Sequence, residues 1–422
     1  MDFSGFDAKS TYDLRLRPQM LYDIMRNQNK DIMYINRDFE ECFAKILRSG
    51  KVLVIYGSRQ TGKTTLVEKL LENEDIKKER VVVLNGDIRA HCELLNYETM
   101  TPAKAQSIVG TAKTLFVDEA QKILDIGLTL KIIHDNLKGI RIVATGSSSF
   151  ELSEEVGEPL TGRMAGFTLP PLSFGELAAA TDNAAEISRL GMRLRLGAYP
   201  DVVTASTESE AIENLSQLCE AYLFKDVLKW QNVKNSEMLS RLLKALALQI
   251  GNEVSYKEVG DIVGIDNETV QAYIERLEKA FVVFRLSAFA RNLRNELKKS
   301  RKVYFCDTGV RNAVLGNFLQ LDCRDDVGHL FENYLICERM KYNNLKRRRV
   351  RSYFWRTTTP GDGEIDYVEE SVDGGIKAYE FKYSPEKAAK ARCPARFASA
   401  YPDAVWMAVS KGNFVEFVNG QI

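Results

Sequence analysis

The chain has 422 residues, enough for two or three domains at about 150 residues each. Hydrophobic residues make up 45% and charged residues 27%, which excludes a wholly disordered, collagenous or coiled-coil chain. Lys plus Arg and Asp plus Glu number 58 each, so whole-molecule charge predicts neither nucleic-acid nor membrane affinity, and any patch is local.

Seven cysteines without a CxxC spacing, and only three histidines, argue against a zinc site or a disulfide framework. The start, MDFSGFDAKSTYD, lacks the basic segment and apolar run of a signal peptide. No stretch reaches the ~18 apolar residues needed to span a bilayer. These features predict a reduced cytoplasmic protein with no membrane partner.

In chain order, residues 1–50 read as charged and helical, including LYDIMRNQ and FEECFAKILRS. Residues 51–56 read as a buried strand and 64–73 as a helix. Further apolar runs stand at 81–84, 114–117 and 141–144. Short buried runs between helical stretches predict a parallel sheet covered on both faces. Residues 185–250 read as helices. SYKEVGDIVGI then predicts a short helix, Asp266 caps a second, NETVQAYIERLEKA, and the β-rich FVVFRLSAF follows. Helix, turn, helix, strand is the layout of a winged helix. Residues 326–422 read as helix, three strands, helix and strand, a small α/β unit.

Gly57-Ser58-Arg59-Gln60-Thr61-Gly62-Lys63-Thr64, followed by Thr65, fits GxxxxGK[ST] between an apolar strand and a helix. The glycines let consecutive N–H groups point at phosphates, and the helix N-terminus adds its partial positive charge. Lys63 is placed for the β- and γ-phosphates of ATP, and the Thr64 hydroxyl for Mg²⁺. Thr114-Leu-Phe-Val-Asp118-Glu119 delivers two acids at a strand end, the edge where ligands bind in such sheets. Asp118 is expected to orient Mg²⁺ and Glu119 to activate the attacking water. At the end of the next apolar run, Thr145 is the first candidate to bond the lytic water or γ-phosphate, and Ser147 the second. Both also suit a turn. Arg59, inside the loop, reads as an exposed or contact residue rather than a catalytic one.

These motifs resemble the AAA-type ATPases of the P-loop class. Leu160-Thr-Gly162-Arg163 and Pro171-Leu-Ser-Phe174-Gly-Glu176 resemble more closely a bacterial and archaeal ATP-binding family, over about residues 35–415. The resemblance implies an ATPase followed by a domain of unknown function that contains a winged helix and a restriction-endonuclease-like fold. The expected divisions are an N-terminal helical extension (1–34), an AAA-type core with a parallel sheet (35–182), a helical lid and winged-helix domain (183–302) and a nuclease-like α/β domain (303–422). Arg163 is either a finger that stabilises transition-state charge, in cis or in trans, or an arginine paired with surface acids. A finger in trans requires a homo-oligomer.

The helix expected after Asp266 carries four acids against two bases, which suits phosphates poorly. Two basic segments are the better candidates for DNA or RNA. Residues 291–302 carry Arg291, Arg294, Lys298, Lys299, Arg301 and Lys302. Residues 339–356 hold eight Lys or Arg with Tyr353, Phe354 and Trp355 among them, a composition that suits backbone contact and base stacking. A solvated basic loop is the other reading. Asp366 and Glu380 are spaced for neighbouring strands of a hairpin, and alternation puts Glu380 and Lys382 on one face. Asp366 and Glu380 could share a second divalent metal, with Lys382 positioning the water or stabilising developing charge and Glu332 as a fourth member. This D…ExK pattern is similar to the restriction-endonuclease-like fold, although exposed strand faces often read Glu-x-Lys. Two functions follow. One is an Mg²⁺-dependent ATPase that controls a nucleic-acid-binding, nuclease-like region. The other is a switch ATPase that acts through protein contacts.

Overall fold

The computed structural model describes residues 34–72, 80–147, 159–220, 236–290, 301–357 and 363–422. The expected helix in LYDIMRNQ, most of the extension 1–34 and the basic residues between 291 and 300 lie outside the described residues.

The first sheet comprises β1 (Val52–Tyr56), β2 (Val81–Asn85), β3 (Thr114–Asp118), β4 (Arg141–Gly146) and β5 (Met164–Thr168), in the order β2-β3-β4-β1-β5. All its described neighbours run parallel. Every residue of β1 is buried because helices cover both faces. Val52, Val54 and Tyr56 pack with Leu130 and Ile133 of the helix Ile126–Asn136. Leu53 and Ile55 pack on the other face with Leu66, Val67 and Leu70 of the helix Lys63–Leu71. Period-two alternation thus feeds two cores from one apolar run. Phe39 adds to the second core, its ring stacked on Phe167 at 3.7 Å between centroids. β3, β4 and β1 are adjacent, so the segments that follow them meet at one sheet edge.

A helical region follows, with the helices Leu190–Leu196 and Glu208–Cys219 packed near Thr308–Leu315. The helices Ser236–Leu248, Tyr256–Val263 and Asn267–Lys279 come next. The last is capped as expected, with the Asp266 side chain accepting from the Thr269 amide. It buries Val270, Ile274 and Leu277.

The second sheet contains β6 (Glu253–Val254), β7 (Val283–Ala288), β8 (Arg301–Phe305), β9 (Val350–Arg356), β10 (Glu364–Ser371), β11 (Ile376–Phe381) and β12 (Val405–Val409). Its order is β12-β11-β10-β9-β7-β8-β6. β10 and β11 form the expected hairpin, with Tyr367 opposite Tyr379. β7 pairs parallel with β9 and antiparallel with β8. The strands following the three helices therefore share one sheet with the C-terminal α/β unit, and the division expected at 302/303 falls inside β8. The 19-residue helix Val327–Leu345 packs on this sheet. Among the described residues, no helix is long and apolar enough to cross a membrane.

Candidate functional site

The phosphate loop leaves β1 at Gly57, whose φ is 151° and where an added Cβ would strike the carbonyl of Leu169. Gly62, at φ 84°, forms the N-cap of the helix Lys63–Leu71. An added Cβ there would meet nothing within 4 Å, so the left-handed backbone, not crowding, requires glycine. Lys63 is buried, and its ammonium donates to the loop carbonyls of Gly57 (3.0 Å) and Ser58 (2.7 Å). Phosphate oxygens are stronger partners for that ammonium than neutral carbonyls. The loop lines a 430 Å³ cavity through Arg59, Gln60, Thr61, Gly62, Lys63, Thr64 and Thr65, with Glu119 opposite. Charge, backbone and open volume fit a nucleotide phosphate chain.

The Thr64 hydroxyl donates to Asp118, at 3.1 Å from each carboxylate oxygen. The Thr145 hydroxyl also donates to Asp118, and Asn85 Nδ2 approaches it at 3.5 Å. Burial raises the Asp118 carboxyl above the usual range, against the lowering effect of these hydroxyls. A divalent cation would favour the charged form. Thr145 thus bonds the Asp118 carboxylate, where the expected partner was water or the γ-phosphate. Glu119 adopts φ 47° and accepts from Gln121 Nε2 at 2.7 Å, which also reaches Ser147 Oγ at 2.9 Å. Ser147 thus joins the Glu119 side of the site.

Of the readings left open for Arg163, the structure places it away from this chain's own phosphate loop and beside a surface acid. Val52 aligns with Met164, so Arg163 lies at the start of β1 and the loop lies at its end. The guanidinium Nε instead donates to Asp135 at 2.8 Å, with both side chains over a third exposed. Strand register, invisible in the motif, decides this.

Two contributors escaped the sequence reading. Arg37 is buried and donates to Glu176 Oε1 (2.8 Å), Thr61 O (2.9 Å) and Pro170 O (2.6 Å). Glu176 also completes a capping box with Ser173. The Pro171–Glu176 signature is thereby explained: it fixes the arginine that holds the phosphate loop. A Ser-x-x-Glu spacing signals the box, but nothing local points to Arg37. Tyr199 is the second, its hydroxyl 2.8 Å from Ser58 Oγ. Both side chains are buried. Ala198 N, one residue earlier, donates to Asp307 Oδ2 at 2.8 Å, just after β8.

The structure also brings Glu332, Asp366, Glu380 and Lys382 to one 570 Å³ cleft. Asp366 accepts from the Phe381 amide at 2.7 Å, which locks the hairpin. Lys382 donates to Glu380. Burial pushes Glu332 up to about 8 and Glu380 up to about 7, and the nearby Asp366 charge adds to both. Lys302, counted in the sequence as part of a surface basic run, points inward from β8 at 1% exposure. Its ammonium lies 3.4 Å from Glu332 Oε1 and pairs with Glu364. Tyr304 donates to the same Glu332 oxygen at 2.5 Å. Among the described residues, no three His, Cys, Asp or Glu side chains stand in an arrangement that holds a metal ion. The cleft as it stands does not fit the second divalent metal, because an ammonium already lies among its carboxylates.

The basic segment 339–356 is a second correction. Arg339 is fully buried and forms a two-pronged pair with Glu369, each bond 2.9 Å. Lys341 is buried against Glu338 at 2.7 Å. Lys346 pairs with Asp38 and Arg356 with Glu253. Tyr353, Phe354 and Trp355 are buried and present no face for a base. Arg347, Arg349 and Arg351 remain exposed. Among the described residues, no cysteine forms a disulfide.

Residues 49–178 match the family model of an AAA domain. They form an AAA-type P-loop ATPase domain with the parallel sheet such domains share. Residues 188–321 and 327–418 match two further models, each described as a domain of unknown function (DUF8612 and DUF4143). An uncharacterized protein of Methanocaldococcus jannaschii is 26% identical over 325 residues, covering 73% of this chain and 70% of that protein. One of Haemophilus influenzae is 27% identical over 288 residues, covering 63% and 69%. One of Mycobacterium tuberculosis is 25% identical over 360 residues, covering 82% and 73%. Among solved structures, AMPPCP-bound DnaA from Aquifex aeolicus is similar at 15% identity and a TM-score of 0.28, covering 58% of this chain and 89% of that chain.

Proposed function

We propose that the protein is an Mg²⁺-dependent ATPase that works as a nucleotide switch on its C-terminal half. The observation that carries this reading is the convergence of Lys63, Thr64, Asp118 and Glu119 on one edge of the parallel sheet. Bound Mg²⁺ would supply charge neutralisation at the phosphates. Thr64 and Asp118 would hold it, Lys63 would leave its loop carbonyls for the phosphate chain, and Glu119 would take the proton of the attacking water at its carboxylate. The Ser58–Tyr199 contact supports a route outward from the loop. The test is ATP turnover with and without chelator. Turnover that survives chelation would refute the magnesium requirement.

The three helices of residues 236–279 with the paired β6, β7 and β8 support a winged-helix reading. The hairpin carrying Asp366, Glu380 and Lys382 supports a nuclease-like one. A nucleic-acid role is favoured by that cleft and by exposed Arg347, Arg349 and Arg351. Action through protein contacts is favoured by the internal use of Arg339, Lys341, Tyr353 and Trp355, and it is the reading we adopt. Titration of labelled DNA and RNA at two salt concentrations separates the two. Salt-sensitive binding in any nucleotide state would overturn the protein-contact reading.

A further inference from the structure

We infer that Lys302 is a built-in cation of the C-terminal cleft, whose ammonium takes the place of a divalent ion among the carboxylates and keeps one out. The inference rests on the reading of that cleft as a site, but not on nucleic acid being its ligand.

Three observations converge on it. Lys302 is almost wholly buried, and a buried charge persists only when paired. Its partners are Glu332 on the helix Val327–Leu345 and Glu364 at the start of β10. Asp366, two residues further along β10, is held on the Phe381 amide and lies within electrostatic reach of the ammonium. Lysine is therefore the positive centre of a set of carboxylates that the hairpin and helix bring together.

The origin of Lys302 matters as much as its position. It comes from β8, outside the helix and hairpin that carry the acids, and β8 is held by β6 and β7 on either side. Phe354 packs beneath it, with the ammonium 5.4 Å from the ring centroid. The cation can leave the cleft only if β8 or its own side chain shifts. Lys382 differs, since it is more exposed and bonded to Glu380 along its own strand. The two lysines therefore have separate roles: Lys302 neutralises the acids from within, and Lys382 faces the cleft mouth.

The test uses the nucleotide-free full chain and Mn²⁺ as probe, followed by calorimetry and electron paramagnetic resonance. Lys302→Met should tighten Mn²⁺ binding at least about tenfold, since one positive charge beside the site is gone. The gain should vanish in the Lys302→Met/Asp366→Asn double variant. Affinity within about twofold of wild type, or a gain that survives Asp366→Asn, overturns the inference. Should Lys302→Met fail to fold, the wild type itself reports. Dimethylation of Lys302, read by peptide mass spectrometry, should stay unchanged at high Mn²⁺, and a several-fold rise, which would show the ion displacing the ammonium, overturns the inference. A Mn²⁺ gain without any nucleic-acid binding upholds Lys302 and removes nucleic acid as the ligand. Nucleic-acid binding with no Mn²⁺ gain does the reverse.

Discussion

The hydroxyl of Tyr199 lies 2.8 Å from Ser58 Oγ, so a residue of the helical region touches the phosphate loop from behind. Neither oxygen is open to water. Tyr199→Phe should leave the Ser58 hydroxyl without this partner and cost about 1–2 kcal/mol, measured by urea unfolding. If the contact also carries nucleotide state outward, the variant should bind ATP yet lose the ATP-dependent change in protease sensitivity of residues 301–357. An unaltered digestion pattern would refute that role.

Lys63→Ala should weaken ATP binding by at least ~100-fold, since it removes the ammonium available to the β- and γ-phosphates. Fluorescent-nucleotide titration measures this. Affinity close to wild type would sink the assignment of the loop.

Glu119→Gln should keep ATP bound and slow hydrolysis by ~10²–10⁴, the usual worth of a general base. Gln121 already bonds the Glu119 carboxylate at 2.7 Å, so the substitution replaces an acceptor with an amide beside another amide. Single-turnover kinetics separate the chemical step from binding. Wild-type turnover would remove Glu119 from the mechanism.

Arg163→Ala should leave turnover of dilute protein within about twofold and cost under ~1 kcal/mol, as expected of an exposed ion pair. A loss of turnover that appears only at high protein concentration would assign Arg163 to a neighbouring copy.

The cleft predicts a pH dependence of opposite sign to ordinary acid unfolding. Glu332, faced by Lys302, Tyr304, His329, Glu364 and Asp366, is pushed up from 4.5 to about 8, chiefly by burial. Between those values the folded state holds more protons than the unfolded chain. Its contribution to stability is therefore full below the lower value and lost as pH rises through the upper one. Urea midpoints should fall between about pH 5 and about pH 8, and fall less in Glu332→Gln. Identical slopes would refute the assignment.

The ATPase half was largely legible because its signals are local. Runs such as residues 81–84 and 114–117 announce buried parallel strands, and the loop motif sits between strand and helix. β5 was not legible: Met-Ala-Gly-Phe-Thr is short, holds a glycine and is half exposed, so its place beside β1 comes from tertiary pairing. Arg163 stayed open between two readings because proximity in sequence to a signature says nothing of which strand end it occupies. The segment 339–356 misled for a related reason. Its basic residues look solvated until partners from 38, 253, 338 and 369 arrive through the fold. The four cleft residues were found because the hairpin spacing and the alternation of Glu380 and Lys382 are geometric. Lys302 was hidden in a charge run that only burial divides into inside and outside.

The parallel pairing of β7 with β9 has a mechanical consequence. Ser287 aligns with Tyr353 and Ala288 with Phe354, and the Phe289 amide donates to the Phe354 carbonyl at 2.7 Å. The strands that follow the three helices and the cleft-bearing hairpin are therefore stitched into one stiff arm. Bending between β7 and β9 would break these hydrogen bonds, so a nucleotide-driven movement, if the proposed switch operates, should carry the two together.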